Sequence, residues 1–377
     1  MGIFVPLSRR GGKKRIDLQE KENTTQNSIF TFFTSGKDKE YFMSLRIIQV
    51  GLGGWGRNWA KTVVTKNTDI KLVAGVDTVP EMLSIAQKEL TIEHYFSSLD
   101  KALATIDADA VLITASLEGH VPSALAALDA DKHVLMEKPF APTLEDAQRV
   151  VAKAEERQRI LMISQNYRHY PATRAIQKLI QKGTLGPVGS IKLNFRRYAN
   201  TPPHGGSAHH RLWEPLLVDM SIHHFDLMRM LLGKEPVKIM CQTWNPRWSN
   251  FFEAPAGSAL ITFDDGTVVT YSGSWVSTAP QTNWAGEWQI ECERGEITAT
   301  SRGEKPDYVA VRPLGKRLRS IKLPEVPLID RNGTLDAFVK AVQTGEEPET
   351  SGRKNLKTLA LMLAAVESAR TGKPVDM

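Results

Sequence analysis

Leu45-Arg46-Ile47-Ile48-Gln49-Val50-Gly51-Leu52-Gly53-Gly54-Trp55-Gly56-Arg57-Asn58-Trp59 decides the fold. Leu45 to Val50 is a short apolar run with β-branched members, the pattern of a strand buried on both faces. It runs straight into a G-x-G-x-x-G. Gly51 permits the tight turn, Gly53 lets backbone N–H groups approach a pyrophosphate, and Gly56 lets the following helix sit close to the strand. Gly54 and Trp55 complete the turn, and the helix N-terminus offers unpaired N–H donors to phosphates. Glycine turns also arise for purely structural reasons, so the flanks matter. A second strand, Ile70-Lys71-Leu72-Val73-Ala74-Gly75-Val76, ends in Asp77, 26 residues beyond Gly51. A carboxylate there accepts hydrogen bonds from both adenosine ribose hydroxyls and repels a 2′-phosphate, which favours NAD over NADP.

Outward from this stretch the alternation continues. Helices are expected around Ala86–Leu90, Ala102–Ile106, Val121–Leu128 and Thr143–Arg157, with strands at Ala110–Thr114, Val134–Met136 and Ile160–Ser164. Such repetition specifies an α/β, doubly wound parallel sheet, whose ligands lie at the carboxyl ends of its strands. Gly51, Asp77, Thr114 and Glu137-Lys138-Pro139 all fall at such ends. From Gly189 the pattern becomes successive strands: Ser190–Arg197, Val237–Trp244, Ser258–Phe263, Thr267–Val276, Glu287–Glu293, Glu296–Thr300 and Tyr308–Arg312. Asp264-Asp265-Gly266 and Arg294-Gly295 read as hairpin turns. The second half is therefore expected to be α+β with a largely antiparallel, open-faced sheet. The domain division is a dinucleotide-binding unit at 44–166 and a substrate and oligomerisation unit at 167–377. The last segment, with Leu356, Leu359, Leu363 and Val366 at helical spacing, docks back on the body.

Composition bounds the rest. The 377 residues suit two domains, and 41% hydrophobic with 24% charged residues excludes a disordered or fibrous chain. No run reaches the ~18–20 apolar residues of a membrane-spanning helix. Two cysteines, Cys241 and Cys292, exclude a disulfide framework and fit a reducing, cytoplasmic setting. The net charge is +6, but residues 1–43 hold eight Lys/Arg against five Asp/Glu, so the remainder is near balance and no nucleic-acid or membrane partner is indicated. The Arg9-Arg10 pair lacks the apolar segment of an export signal behind it. Residues 1–43 read as a poorly ordered extension, with the folded protein, and the natural start, expected at Met43.

Two segments carry candidate chemistry. Lys138, two residues past a buried strand and followed by Pro139, has little freedom, and burial at such a place disfavours a charged amine. There it can hydrogen-bond a substrate hydroxyl, whereas alone Glu137-Lys138 reads as a surface ion pair. The second segment, Pro215 to Gly233, has a helix's proline start and glycine stop but is too apolar for an exposed helix. Asp219, His223 and Asp226 share one face of it at α-helical spacing. A carboxylate touching an imidazole raises its basicity and fixes its tautomer, which suits proton transfer. The alternatives are a satisfied core pair, or a metal set completed by His204, His209 or His210.

These residues together resemble the glucose–fructose oxidoreductase/inositol dehydrogenase/MocA-like (Gfo/Idh/MocA) family. The resemblance covers about residues 44–377. It rests on Gly51-x-Gly53-x-x-Gly56, Asp77, Lys132-His133-Val134-Leu135-Met136-Glu137-Lys138-Pro139, Asn166-Tyr167-Arg168, Lys178 to Val188 and Asp219-x-x-x-His223-x-x-Asp226. It implies an NAD(P)-dependent oxidoreductase moving hydride between a sugar, inositol or related polyol and nicotinamide. In that reading Lys138, Asp219 and His223 are catalytic: His223 takes the hydroxyl proton, Lys138 polarises the hydroxyl and Asp219 orients His223. Thr114, His120, Glu137, and Gln165 or Asn166 join the cofactor site, and Arg168 and Trp213 the substrate site. The chain departs from the family after Thr114, where Ala115-Ser116-Leu117-Glu118-Gly119-His120 replaces the usual Pro-Asn or similar pair. The resemblance also implies a homodimer or homotetramer packed through the open sheet face. Among the tryptophans of the second half, Trp244, Trp248, Trp275, Trp284 and Trp288 are expected mostly in core or interface, although their flat faces suit a sugar. Two functions of other classes compete: a glycoside hydrolase that retains its NAD, and a non-catalytic dinucleotide-binding regulator.

Overall fold

The chain from β1 (Leu45–Val50) to β6 alternates strand and helix: α1 (Gly54–Thr62), β2 (Ile70–Val76), α2 (Pro80–Glu89), β3 (His94–Phe96), α3 (Leu99–Thr105), β4 (Ala110–Ile113), α4 (Leu117–Asp129), β5 (His133–Met136), α5 (Leu144–Glu156) and β6 (Leu161–Ile163). These elements come from a computed structural model that describes residues 44–377; the extension expected at 1–43 lies outside the described residues. The six strands are all parallel, in the order β3-β2-β1-β4-β5-β6. Parallel neighbours demand helical crossovers, which cover both faces, so β4 is buried throughout. The order reverses between β1 and β4, and there the first connections leave on opposite faces and open a crevice beyond the strand ends. This is the doubly wound sheet the sequence predicts.

After α6 (Pro171–Gln181) the second sheet is built from β7 (Val188–Arg196), then, past α7 (Ile222–Leu232), from β8 (Pro236–Trp244), β9 (Ala256–Phe263), β10 (Val268–Ser274), β11 (Glu287–Cys292), β12 (Gly295–Thr300), β13 (Tyr308–Pro313) and β14 (Arg319–Ser320). Helices α8 (Asp330–Thr344) and α9 (Gly352–Thr371) follow, and β15 (Val375–Asp376) closes the edge. Its order is β14-β13-β12-β11-β7-β10-β9-β8-β15, antiparallel except for the β7–β10 pair. Alternate residues such as Ile191, Leu193 and Phe195 of β7 are buried under helices, while Met240, Trp244 and Leu260 stand exposed on the other face.

Helix α9 lies against α5, α7 and β8. Helix α8 returns to the first sheet: Leu335, Phe338 and Val339 pack in one cluster with Ile47, Trp59, Leu112, Leu135 and Met162. Among the described residues no helix is long and apolar enough to cross a membrane.

One local departure matters for the site. The segment read as a single α-helix from Pro215 begins as a π-helix, Pro215–Ser221, and becomes α7 only at Ile222. Ser221 Oγ donates to the Leu216 carbonyl at 3.0 Å and lies 2.9 Å from Tyr271 Oη, a side-chain bond inserted into the ladder. The helix does end at Gly233, whose φ of 62° only glycine adopts freely.

Candidate active site

The glycine turn is held open by backbone geometry. Gly51 has φ 89°, and a Cβ there would meet Ala115 N at 2.4 Å; one on Gly56 would lie 1.9 Å from Gly51 O. Gly53 and Gly54, by contrast, face empty space, with nothing within 4 Å of their Cβ positions. That space lies at the N-terminus of α1, where unpaired N–H groups face outward. Thr114 Oγ1 donates to Gly51 O at 2.7 Å and accepts from Gln49 Nε2 at 3.1 Å, tying the ends of β1 and β4 together. Asp77 caps the neighbouring strand: its Oδ2 accepts from Leu52 N at 2.7 Å and its Oδ1 from Val79 N at 2.9 Å. Two carboxylate oxygens with one protein donor each keep lone pairs for ribose hydroxyls. The turn, the unfilled space and the acid fit a dinucleotide such as NAD.

Past β5, Glu137 and Lys138 reach a cavity of about 730 Å³ between the two sheets. Its wall includes Trp55 from the glycine turn, Ala115, Asn166, Tyr167, Asp219, His223 and Arg302. Lys138 Nζ donates to Asp219 Oδ1 and to the Asp219 carbonyl, both at 2.7 Å. Burial alone would raise the Asp219 carboxyl, but the Lys138 ammonium and the neighbouring His209 hold it well below the ordinary range. His209 Nε2 stands 3.5 Å from Asp219 Oδ2, a charge-pair distance rather than a well-formed hydrogen bond. Glu137 is buried, accepting from Trp59 Nε1 at 2.8 Å, and burial raises its carboxyl pKa. Lys138 and His223 thus share one cavity, the juxtaposition on which the sequence reading depends.

The link between Asp219 and His223 is different. Asp219 serves Lys138 and makes no hydrogen bond to His223, whose Nδ1 is buried without a partner. In the i→i+5 register of the π-helix, positions four apart are not the neighbours an α-helix makes them. His223 instead stacks on Tyr167, ring centroids 4.1 Å apart and planes 2° from parallel. Burial, then the positive charges of Lys138 and Arg302, lower its pKa well below 6.5.

Other assignments are corrected. Arg168 does not border the cavity: its guanidinium forms a buried bidentate pair with Asp226, Nε to Oδ2 at 2.6 Å and Nη2 to Oδ1 at 2.7 Å. That pairing also takes Asp226 away from the cavity that Asp219 and His223 border. Trp213 packs against the core edge under Arg370, and Trp275 and Trp284 line the cavity instead. His120 is buried behind the site, its ring bonded to Pro139 O at 2.7 Å and near Ala115 O at 3.2 Å, so it braces the Lys138-Pro139 turn. Gln165 is buried with both amide atoms unpartnered, beside Asn166, which pairs with Asp330. Sequence reasoning gave Tyr167 and Arg302 no role. Tyr167 lay inside a quoted motif, while Arg302 follows a strand with no local signal.

Among the described residues no three His, Cys, Asp or Glu side chains converge as a metal set. Of the histidines weighed for one, His210 bonds Ala199 O at 2.9 Å and His204 packs on Phe252.

Comparison with known proteins agrees with this fold. Residues 45–165 match the model of an oxidoreductase family with an NAD-binding Rossmann fold, and residues 173–298 match the Gfo/Idh/MocA C-terminal domain. The chain belongs to the Gfo/Idh/MocA oxidoreductase family. It is similar to a 1,5-anhydro-D-fructose reductase of Ensifer adhaerens, 25% identical over 87% of this chain and 97% of that one. It is likewise 25% identical to an inositol 2-dehydrogenase of Rhizobium meliloti, over 89% of this chain and 100% of the relative. In fold it resembles an oxidoreductase from Agrobacterium radiobacter solved with NAD+, L-tartaric acid and magnesium, at a TM-score of 0.77, 21% identity, and coverage of 89% and 98%.

Proposed function

We propose that this oxidoreductase moves hydride between NAD and a secondary hydroxyl or ketone of a sugar, inositol or related polyol, in the cytoplasm. The observation that carries the reading is the single cavity bordered at once by Trp55 of the glycine turn, the Lys138–Asp219 pair and His223. The dinucleotide, when bound, supplies the hydride acceptor; Gly51, Gly53, Gly54, Gly56, Asp77, Thr114, Glu137 and Asn166 would hold it. Lys138, fixed by Asp219, presents an ammonium that stabilises developing negative charge on the substrate oxygen. His223, neutral at ordinary pH, accepts the hydroxyl proton. Asp219 thus acts by placing Lys138. The aromatic faces of Trp275 and Trp284 suit the apolar C–H faces of a sugar ring. The apolar residues Met240, Trp244 and Leu260 on the open sheet favour a homo-oligomer formed through that face.

The test is NADH formation by the purified protein given NAD and a panel of inositols, aldoses and ketoses. Reduction of NAD by one polyol class supports the reading. Cleavage of chromogenic glycosides without net NADH would replace it with the hydrolase, and dinucleotide binding without turnover on any panel member would leave a regulator.

A further inference from the structure

The imidazole of His223 lacks the carboxylate partner that a histidine base ordinarily has, and the structure puts something else against it. On one side lies the Tyr167 ring, parallel at 4.1 Å. The Arg302 guanidinium sits over that same ring, 4.4 Å from its centroid, with Nη1 donating to Tyr167 Oη at 3.0 Å. Arg302 is held in turn by Asp330, whose Oδ1 lies 3.7 Å from its Nε. Both members of that pair have left-handed backbones, φ 57° at Arg302 and at Asp330. Left-handed geometry at a non-glycine residue costs about 1–3 kcal/mol and persists only where the surroundings impose it. Two such residues facing each other, with Arg302 on the cavity wall, mark a charge whose place the surroundings impose.

We propose that Arg302 is a positioning residue for the proton transfer, acting through Tyr167 to fix the plane of the His223 ring and to set how readily that ring takes a proton. This rests on the dehydrogenase reading for its consequence in catalysis, but the column itself can be tested without turnover. The charged and titratable groups around His223 come from several elements, with the stacked Tyr167 and, on the same cavity wall, Glu137 and His209 among them. Lys138 follows β5 and Asp219 lies on the π-helix; Arg302 follows β12, and His224 is the neighbour on α7. Lys138 and Asp219 compensate each other at 2.7 Å, and His224 is itself buried, its pKa lowered to about 4, so it carries no charge at neutral pH. Arg302 adds its own positive charge beside that pair, after Lys138 in weight, so its removal also changes the balance at the imidazole. Arg302 and Lys138 both oppose protonation, so the ring stays an empty acceptor until substrate arrives.

The experiment uses the full chain with histidine labelled for NMR, the His223 signal being assigned by its loss in His223→Gln. Arg302→Gln should raise the His223 titration midpoint by about one pH unit, the lower end of the effect of a nearby charge. Arg302→Lys should leave the midpoint near the parent's. An unchanged midpoint in Arg302→Gln, or equal shifts in both variants, would overturn the proposal. Tyr167→Phe keeps the stacked ring and the Arg302–Asp330 pair and removes the Oη that Arg302 bonds, so it covers a failure of Arg302→Gln to fold; with the guanidinium held less firmly over the ring the midpoint should rise by less than in Arg302→Gln, and no shift would count against the column. In turnover, the acid limb of kcat/KM should move up in Arg302→Gln by the same amount as the NMR midpoint; a limb that stays put while the midpoint moves would reject the catalytic part alone. Absence of turnover in the parent would fault the dehydrogenase reading and leave the NMR result to decide the column.

Discussion

At Lys138 an ammonium is pinned between the carboxylate and the carbonyl of one residue, Asp219, 2.7 Å from each. Held so, it stays at the cavity wall, where in the proposed reaction its charge meets the substrate oxygen. Lys138→Ala should lower kcat by about 10²–10⁴-fold, the range of a positioned acid–base or polar group, with NAD affinity within about twofold of the parent. Steady-state kinetics with a fluorescence titration of NAD check it. At Asp77 the expectation is a preference rather than a rate: Asp77→Ala removes the acceptor for ribose and the repulsion of a 2′-phosphate, so the ratio of kcat/KM for NAD to that for NADP should fall at least tenfold. Both residues were legible in the sequence because each ends a strand whose apolar run is plain. Arg168 misled because its motif gives no sign of a partner 58 residues on; only the fold brings Asp226 to it. Trp213 misled because nearness in the chain to the Pro215–Gly233 segment is not nearness to the cavity.

Among elements, the glycine turn separates binding from folding. Gly53→Ala adds a methyl where nothing lies within 4 Å, so Tm should hold while NAD affinity falls at least tenfold. Gly56→Ala, 1.9 Å from Gly51 O, should cost stability as well. Comparing thermal unfolding with NAD titration for the pair distinguishes the two. Helix α8 makes a separate prediction: Phe338 is fully buried against the first sheet, so Phe338→Ala should cost about 3–5 kcal/mol by denaturant unfolding. That helix, α6, β3, the two-residue strands β14 and β15, and the π-turn were the parts the sequence did not yield. Leu335, Phe338, Val339 and Val342 do repeat at helical spacing, but lie amid polar residues after a Pro-rich stretch. Strand β3 is three half-exposed edge residues, too short to show alternation. The π-turn depends on Ser221 meeting Tyr271, 50 residues distant, which no local pattern carries.

Across the whole molecule, the proposed catalysis depends on two sheets from different halves of the chain meeting over one cavity. The strand–helix alternation of the first half and the strand succession of the second were plain in the sequence, because each rests on local periodicity. Where the two would touch at the cavity was not, because Lys138 and Asp219, which meet there, are 81 residues apart. The assembled site has its own pH behaviour. His223 has a pKa below 6.5, so it stays unprotonated as pH falls through the usual histidine range. For substrate oxidation, kcat/KM should therefore hold level from neutrality through about pH 6.5, where an ordinary histidine base would have lost half its active form, and decline only at lower pH. The most direct test of the central claim is the rate of NADH formation, with the best polyol of the panel, in the parent and in His223→Gln and Lys138→Ala. The account predicts turnover in the parent, a loss of at least a hundredfold in each variant, and retained NAD binding in all three. Turnover that survives both substitutions would contradict it.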